Sequence, residues 1–250
     1  QIITIGDGEI SIQIIKIVNQ DTIIARILNN GLIQAMKGFN IIKPLDDNQF
    51  VKFKLYLEII KRTRPEIIAI PFITEITNAK IKNDINEILD YKPKIIIKIE
   101  NKEGVKEIQN ICQDAFYDMI LIDRGELGIM ASCEKLGVYQ KYLTRIIKKF
   151  KNKLIISTQI LESTMNNLIP SRAEILDLTN MVIDDIDGIM LCKETGMGLR
   201  AAYTITMAKK IITTVENYKK ELCYYEQNGD NKRNDAVAHR MVENDQSANY

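Results

Sequence analysis

The 250-residue chain is 46% hydrophobic and carries 34 basic against 33 acidic side chains, for a formal net charge of +1. That balance gives no support for a nucleic-acid or polyanion surface, and no apolar run approaches the ~20 residues of a membrane span. The four cysteines form no CxxC pair and the one histidine, His239, lies in a polar tail, which excludes structural zinc and a Ser-His or Cys-His dyad. Reduced thiols and the lack of a recognisable signal peptide give a cytoplasmic protein as the expectation.

The first forty residues are β in character. Three Ile-rich runs, QIITIG, EISIQIIKIV and TIIARIL, are separated by Asp7-Gly8, Asn19-Gln20-Asp21 and Asn29-Asn30-Gly31, which are turn-forming residues. They predict a few antiparallel strands in a small module over 1–40, too short to be stable alone. Residues 35–44, with Gly38 and a closing Pro44, read as its exit linker.

From Leu45 onward helix and strand alternate. Residues 46–63 predict a helix with Phe50, Phe53, Leu57 and Ile60 on one face, ended by Pro65. A strand follows over 66–73, a helix over 76–91 and a strand around Lys98. Helices over 102–116, 133–151 and 171–183 then alternate with strands over 118–123, 153–158 and 187–192, and a helix over 201–219 closes the series. Five strands in this order imply right-handed βαβ units and a parallel sheet over 41–222. Residues 223–250 form a polar tail, hinged at Gly229-Asp230-Asn231, in which 235–242 could begin another helix.

The strand around Lys98, in the stretch KIIIKIENKEG, ends in charge. Ile95, Ile96, Ile97 and Ile99 suit a strand covered on both faces, and Lys98 and Glu100 share one face at the period of two. Alone, such a pair is most simply a structural ion pair. The strand ends that follow are polar as well: Asp123-Arg124-Gly125-Glu126-Leu127-Gly128, then Ser157-Thr158-Gln159, then Lys193-Glu194-Thr195-Gly196. In a (β/α) barrel that end is where chemistry is done, and the succession favours a phosphate or metal site. Glu100 and Glu126 could hold a hard divalent ion such as Mg²⁺. Lys98 is a point positive charge for a phosphoryl group, and Gly125 and Gly128 let backbone N–H groups approach an anion. Thr158 offers a hydroxyl able to donate or accept a proton. Together these groups describe metal-assisted transfer on a small anionic substrate. The methionines read as core packing, and the basic residues between Lys141 and Lys153 as a solvated helix face.

KIENKEGV, DRGELG, STQILESTM, PSRAE and DGIMLCKET resemble, in order and spacing, the consecutive motifs of pyruvate kinase, usually KIEN-x-G, ARGDLG, ATQMLESM, PTRAE and MLSGET. The first forty residues resemble the end of that family's lid domain, with Gly6-Asp7-Gly8-Glu9-Ile10 near its DDG element and Met36-Lys37-Gly38-Phe39-Asn40 similar to its KKGVN exit. The resemblance implies five C-terminal strands of a TIM-type (β/α)8 barrel with a short β lid remnant. It implies phosphoryl transfer between phosphoenolpyruvate and ADP, giving pyruvate and ATP, with Mg²⁺ or Mn²⁺ and K⁺ as cofactors. Lys98 would neutralise the transferring phosphoryl and the enolate oxygen, and Glu100 and Glu126 would hold the metal. The amides of Gly125 and Glu126 would bind the substrate carboxylate, Thr158 would lie in the proton path, and Lys37 would approach the nucleotide phosphates.

The departures from the family are equally specific. Glu126 stands for Asp and carries its carboxylate one methylene further out, where sites tolerate only ~0.5 Å of error. Asp123 stands for a small neutral residue, which would raise neighbouring carboxylate pKa values if unscreened. Cys192-Lys193 replace Ser-Gly, Met197 replaces Lys, and Ile42-Lys43 replace Pro-Gly. The family's first three barrel strands have no counterpart here, and five parallel strands cannot close an eight-stranded barrel. The strands at 66–73 and 187–192 would be open edges. The expectation is a segment of a longer polypeptide, or a subunit of an oligomer or assembly completed by another chain and inactive in isolation. The alternative is a catalytically degenerate homologue kept as a structural subunit.

Overall fold

In the computed structural model, which describes residues 2–6, 10–33, 39–40, 47–71, 75–130 and 133–227, the Ile-rich runs pair into two sheets. Lys37, Phe72 to Thr74, His239, the hinge at 229–231 and the helix expected at 235–242 lie outside the described residues. Two compact units divide the chain, one drawn from Gln1–Thr158 with Asp187–Met190, the other from Gln159–Ile186 with Leu191–Tyr250.

In the first unit, β1 (Ile2–Ile5), β2 (Ile10–Ile17), β3 (Ile23–Ile27) and β4 (Phe39–Asn40) form an antiparallel sheet in the order β3-β2-β1-β4. Gly6 leaves β1 at φ 66°, a conformation open to a residue without Cβ. At the β2–β3 turn, the Asn19 side chain accepts from the Asp21 amide at 3.0 Å, which is the turn chemistry expected there. Ile3, Ile5 and Ile10 are buried, whereas Ile17, Ile24 and Ile27 of the β2–β3 ribbon are exposed. The expected linker at 35–44 contains β4, because the backbone of Phe39 and Asn40 pairs with Ile5 and Thr4.

Beyond α1 (Asp47–Thr63), five parallel strands run in sequential order: β5 (Ile67–Ile70), β6 (Lys94–Ile99), β7 (Met119–Asp123), β8 (Lys153–Ser157) and β9 (Gly188–Met190). The intervening helices include α2 (Glu75–Ile88), α3 (Lys102–Lys106), α4 (Ile108–Gln113), α5 (Arg124–Met130) and α6 (Leu136–Lys149). This is part of a (β/α) barrel preceded by a lid-like β module. Ile120, Leu121 and Ile122 are consecutive and all fully buried, so both faces of β7 are covered, as an uninterrupted apolar strand requires. Leu57 of the predicted helix face is likewise fully buried.

The boundaries show what local patterning misses. The helix predicted over 102–116 is two helices, broken at Glu107 (φ −85°, ψ 3°), with Asn101 capping the first by accepting from the Gly104 amide at 2.7 Å. Arg64, at φ 47°, ends α1 with Pro65; its guanidinium stacks on Tyr91 and pairs with Asp90 at 2.8 Å. Tyr91 in turn donates its hydroxyl to the Pro65 carbonyl at 3.0 Å, which ties the entry of β5 to that of β6. No helix among the described residues is long and apolar enough to cross a membrane.

In the second unit, α7 (Arg172–Ile183) packs on α9 (Ala201–Gln227), burying Leu178 and Met181 on one helix and Ala208 and Val215 on the other. Ser171 and Glu174 form a reciprocal capping box at the start of α7. The short helix α8 (Lys193–Gly196) holds Glu194 at 1% exposure, where its carboxylate accepts from the Ile160 amide at 2.9 Å and the Cys192 amide at 2.7 Å. Gly198 follows because a Cβ there would collide with the Glu194 carbonyl.

Register in the parallel sheet is set by a repeated aspartate device. Asp118, just before β7, accepts from the Ile95 amide at 2.7 Å, and Asp187, just before β9, accepts from the Leu154 amide at 2.8 Å. Partial burial pushes the Asp187 carboxyl pKa up, but the Leu154 amide and the Lys148 ammonium outweigh it and hold the value below the usual carboxylate range. A depressed folded-state pKa stabilises the fold fully above the unfolded value, and that contribution is lost as pH falls through the folded one. Replacing Asp187 with Ala should therefore cost about 1 kcal/mol at neutral pH, mostly the amide bond, because the exposed Lys148 pair is screened. Urea denaturation of both proteins should show the gap closing in acid below about pH 4; a gap constant with pH would contradict this role.

Candidate active site

Three adjacent parallel strands bring the polar strand ends together. β6 pairs with β7 so that Lys98 faces Leu121, and β7 pairs with β8 so that Asp123 faces Ser157. On β6, Ile97 and Ile99 are fully buried on one face, so the period of two sends Lys98 and then Glu100 to the other. There the Lys98 Nζ lies 2.5 Å from Glu100 Oε1 and 2.9 Å from Asp123 Oδ2. The Glu100 side chain is 1% exposed and that of Lys98 19%.

Asp123 is the hub of the cluster. Its Oδ1 accepts from the Thr158 hydroxyl at 2.7 Å and from the Gly125 amide at 3.2 Å. The next residue, Arg124, donates to the Thr158 carbonyl from Nε at 3.1 Å and from Nη2 at 2.6 Å. Two consecutive residues of the β7–α5 junction therefore grip Thr158, one by its side chain and one by its backbone. They hold it at φ 77°, a left-handed conformation that is a strained outlier for a β-branched residue. A Cβ on Gly125 would lie 3.0 Å from the Thr158 methyl, so the glycine permits this close approach.

The electrostatics follow from the pairing. Burial pulls the Lys98 pKa down, but the Glu100 and Asp123 carboxylates together hold it above the ordinary lysine value. Burial pushes the Asp123 carboxyl up, yet the Lys98 ammonium, the Thr158 hydroxyl and the Gly125 amide bring it below the usual carboxylate range. These partners favour the ionised form of Asp123.

Of the residues singled out from sequence, Lys98, Gly125 and Thr158 meet around the Asp123 carboxylate, and Glu100 joins them through Lys98. Glu126 lies half-buried in the first turn of α5, three residues beyond Asp123. Asp123 itself was read from the sequence as part of a polar strand end and as a departure from the family, with no role in the site, although its place at the end of DMILID, beside the strand ending in Lys98 and Glu100, was the available signal.

Among the described residues no group of three or more His, Cys, Asp or Glu side chains could hold a metal ion. Phosphoryl-transfer sites bind Mg²⁺ through only one or two carboxylates plus water and substrate oxygens. Glu100 and Glu126 are oxygen donors of that kind.

A family model described as pyruvate kinase, barrel domain, matches residues 1–205. The chain belongs to the pyruvate kinase family. It is 31% identical to the pyruvate kinase of Methanocaldococcus jannaschii over 227 residues, covering 88% of this chain and 48% of that protein. It is 29% identical to the pyruvate kinase of Borreliella burgdorferi, covering 89% of this chain and 46% of that protein. Against the pyruvate kinase of Candida albicans the identity is 31%, covering 86% and 43%. The chain thus spans about half the length of the curated relatives it matches.

The family motifs fall into two physical kinds. Those at the ends of β6, β7 and β8 build the Lys98 cluster, whereas Glu194 and the Ser171–Glu174 pair are consumed in holding backbone. Within the cluster, removing Lys98 takes one ammonium away from two carboxylates. The substitution Lys98→Met should lower unfolding stability by about 3–5 kcal/mol. Adding Asp123→Asn should cost less than the sum of the single changes, since the two groups share one interaction. A double-mutant cycle in urea tests this, and additive losses would rule the coupling out.

Proposed function

We propose that this chain carries the phosphoryl and metal end of a pyruvate kinase site, which transfers the phosphoryl group of phosphoenolpyruvate to ADP and yields pyruvate and ATP. The observation that supports it best is the convergence of Lys98, Glu100 and Thr158 at the ends of adjacent barrel strands, linked through Asp123.

In this reading the Lys98 ammonium orients the transferring phosphoryl group and neutralises the oxygen on which the enolate charge develops. The amides of Gly125 and Glu126 hold the substrate carboxylate. Thr158 lies near the enolate carbon, in the path by which a proton from water reaches it and completes pyruvate. Glu100 and Glu126 would hold Mg²⁺ or Mn²⁺, which supplies Lewis-acid neutralisation of phosphoryl oxygens when bound. Lys37 would reach the nucleotide phosphates, and K⁺ is the expected monovalent cofactor. The remaining barrel strands, and with them much of the nucleotide site, would come from a longer polypeptide or from another chain in an oligomer or assembly. Glycolysis in the cytoplasm is the corresponding setting, with no nucleic-acid or membrane partner.

A second reading, a catalytically degenerate homologue serving as a structural subunit, draws support from one specific feature. The Lys98 ammonium is shared between two carboxylates, which leaves it less available to an anionic substrate. Phosphoenolpyruvate-dependent ATP formation by the longest native form decides between them. Activity requiring Mg²⁺ or Mn²⁺, and reduced roughly 10²-fold by Glu100→Gln, is the expected result. Absence of turnover with either ion would leave the structural reading.

A further inference from the structure

The Asp123 carboxylate takes up three donors at once: the Lys98 ammonium at 2.9 Å, the Thr158 hydroxyl at 2.7 Å and the Gly125 amide at 3.2 Å. A cation, a hydroxyl and a backbone amide converging on one small space form a receptor for an anion. They are also the groups that the proposed function assigns to the phosphoryl and enolate oxygens, the proton path and the substrate carboxylate. We propose that Asp123 is an internal anion occupying the substrate's receptor, and that it sets the affinity of the site for carboxylate- and phosphate-bearing ligands. The assignment of the ligand rests on the phosphotransferase reading; the occupancy of the receptor does not.

Two features distinguish this role from that of an ordinary structural ion pair. Lys98 already has a partner in Glu100 at 2.5 Å, so a second carboxylate is not needed to compensate its charge. The bonds of Asp123 to Thr158 and Gly125 compensate no charge on those residues; they use up neutral donors that an incoming anion would otherwise engage. Space leads to the same conclusion. A single added carbon at Gly125 would already lie 3.0 Å from Thr158 Cγ2 and 3.5 Å from Asp123 Oδ1, so an incoming carboxylate replaces that of Asp123 instead of sharing the donors with it. Displacement also has to overcome the repulsion between two like charges. The family resemblance puts a small neutral side chain at this position, where no such competition arises.

The test is binding of phosphoenolpyruvate, with Mg²⁺ present, and separately of inorganic phosphate, to the full chain and its variants by titration calorimetry. Asp123→Ala should bind phosphoenolpyruvate at least roughly tenfold more tightly than the native chain, with Asp123→Asn in between because it keeps an acceptor but loses the charge. Glu103→Ala removes an exposed carboxylate outside the cluster and should leave binding unchanged. Thermal unfolding establishes that each variant is folded, and should Asp123→Ala fail to fold, Asp123→Asn is judged by the same criterion. A gain for inorganic phosphate without any binding of phosphoenolpyruvate would uphold the internal anion and remove the phosphotransferase reading. Native binding of phosphoenolpyruvate that the variant does not improve would overturn the internal anion and leave that reading intact. No binding of either ligand by any form would overturn both.

Discussion

The Lys98 ammonium held between the Glu100 and Asp123 carboxylates is the interaction on which the carboxyl end of the parallel sheet depends. All three side chains leave strands whose opposite faces are packed with isoleucine and leucine, so none can turn away without opening the core. Charges in such surroundings persist only when paired, and a lone buried carboxylate would be strongly destabilising. The Lys98–Asp123 pair therefore joins the end of β6 to the end of β7, beyond the backbone ladder that joins their middles.

From this pair the order spreads to β8. Asp123 and Arg124 leave the end of β7 in opposite directions, one toward the Thr158 hydroxyl and the other toward its carbonyl. A β-branched residue at φ 77° costs of order 1–3 kcal/mol, and such a conformation persists only where its surroundings over-determine it. Two charge-assisted attachments from adjacent residues provide that constraint. The hydroxyl is thereby aimed into the cluster, toward the Asp123 carboxylate.

The same atoms create a tension between stability and binding. In the proposed role, the ammonium, hydroxyl and amide that would receive a small anion are already satisfied by a resident carboxylate. Satisfied polar groups make a firmer fold and a weaker receptor, since a ligand gains only the difference between its own bonds and those it displaces. The second unit shows a carboxylate used in another way: Glu194 accepts from two backbone amides, of Ile160 and Cys192, and so fixes the loop around it.

The strands were legible in the sequence because burial on both faces leaves an uninterrupted apolar run, as at Ile120 to Ile122, and their polar ends marked where the site would lie. The five ordered motifs carried the family. The break at Glu107, the pairing of Phe39-Asn40 as a strand and the role of Asp123 were not legible, since each is decided by partners distant in the chain. Asp123 meets Lys98 across 25 positions and Thr158 across 35, and only the register of three parallel strands brings those distances to hydrogen-bond length. Local composition determined which segments would be strands and which ends would be charged; the tertiary structure alone decided which charge each donor would find, because side-chain pairing depends on neighbouring strands and periodicity describes only one.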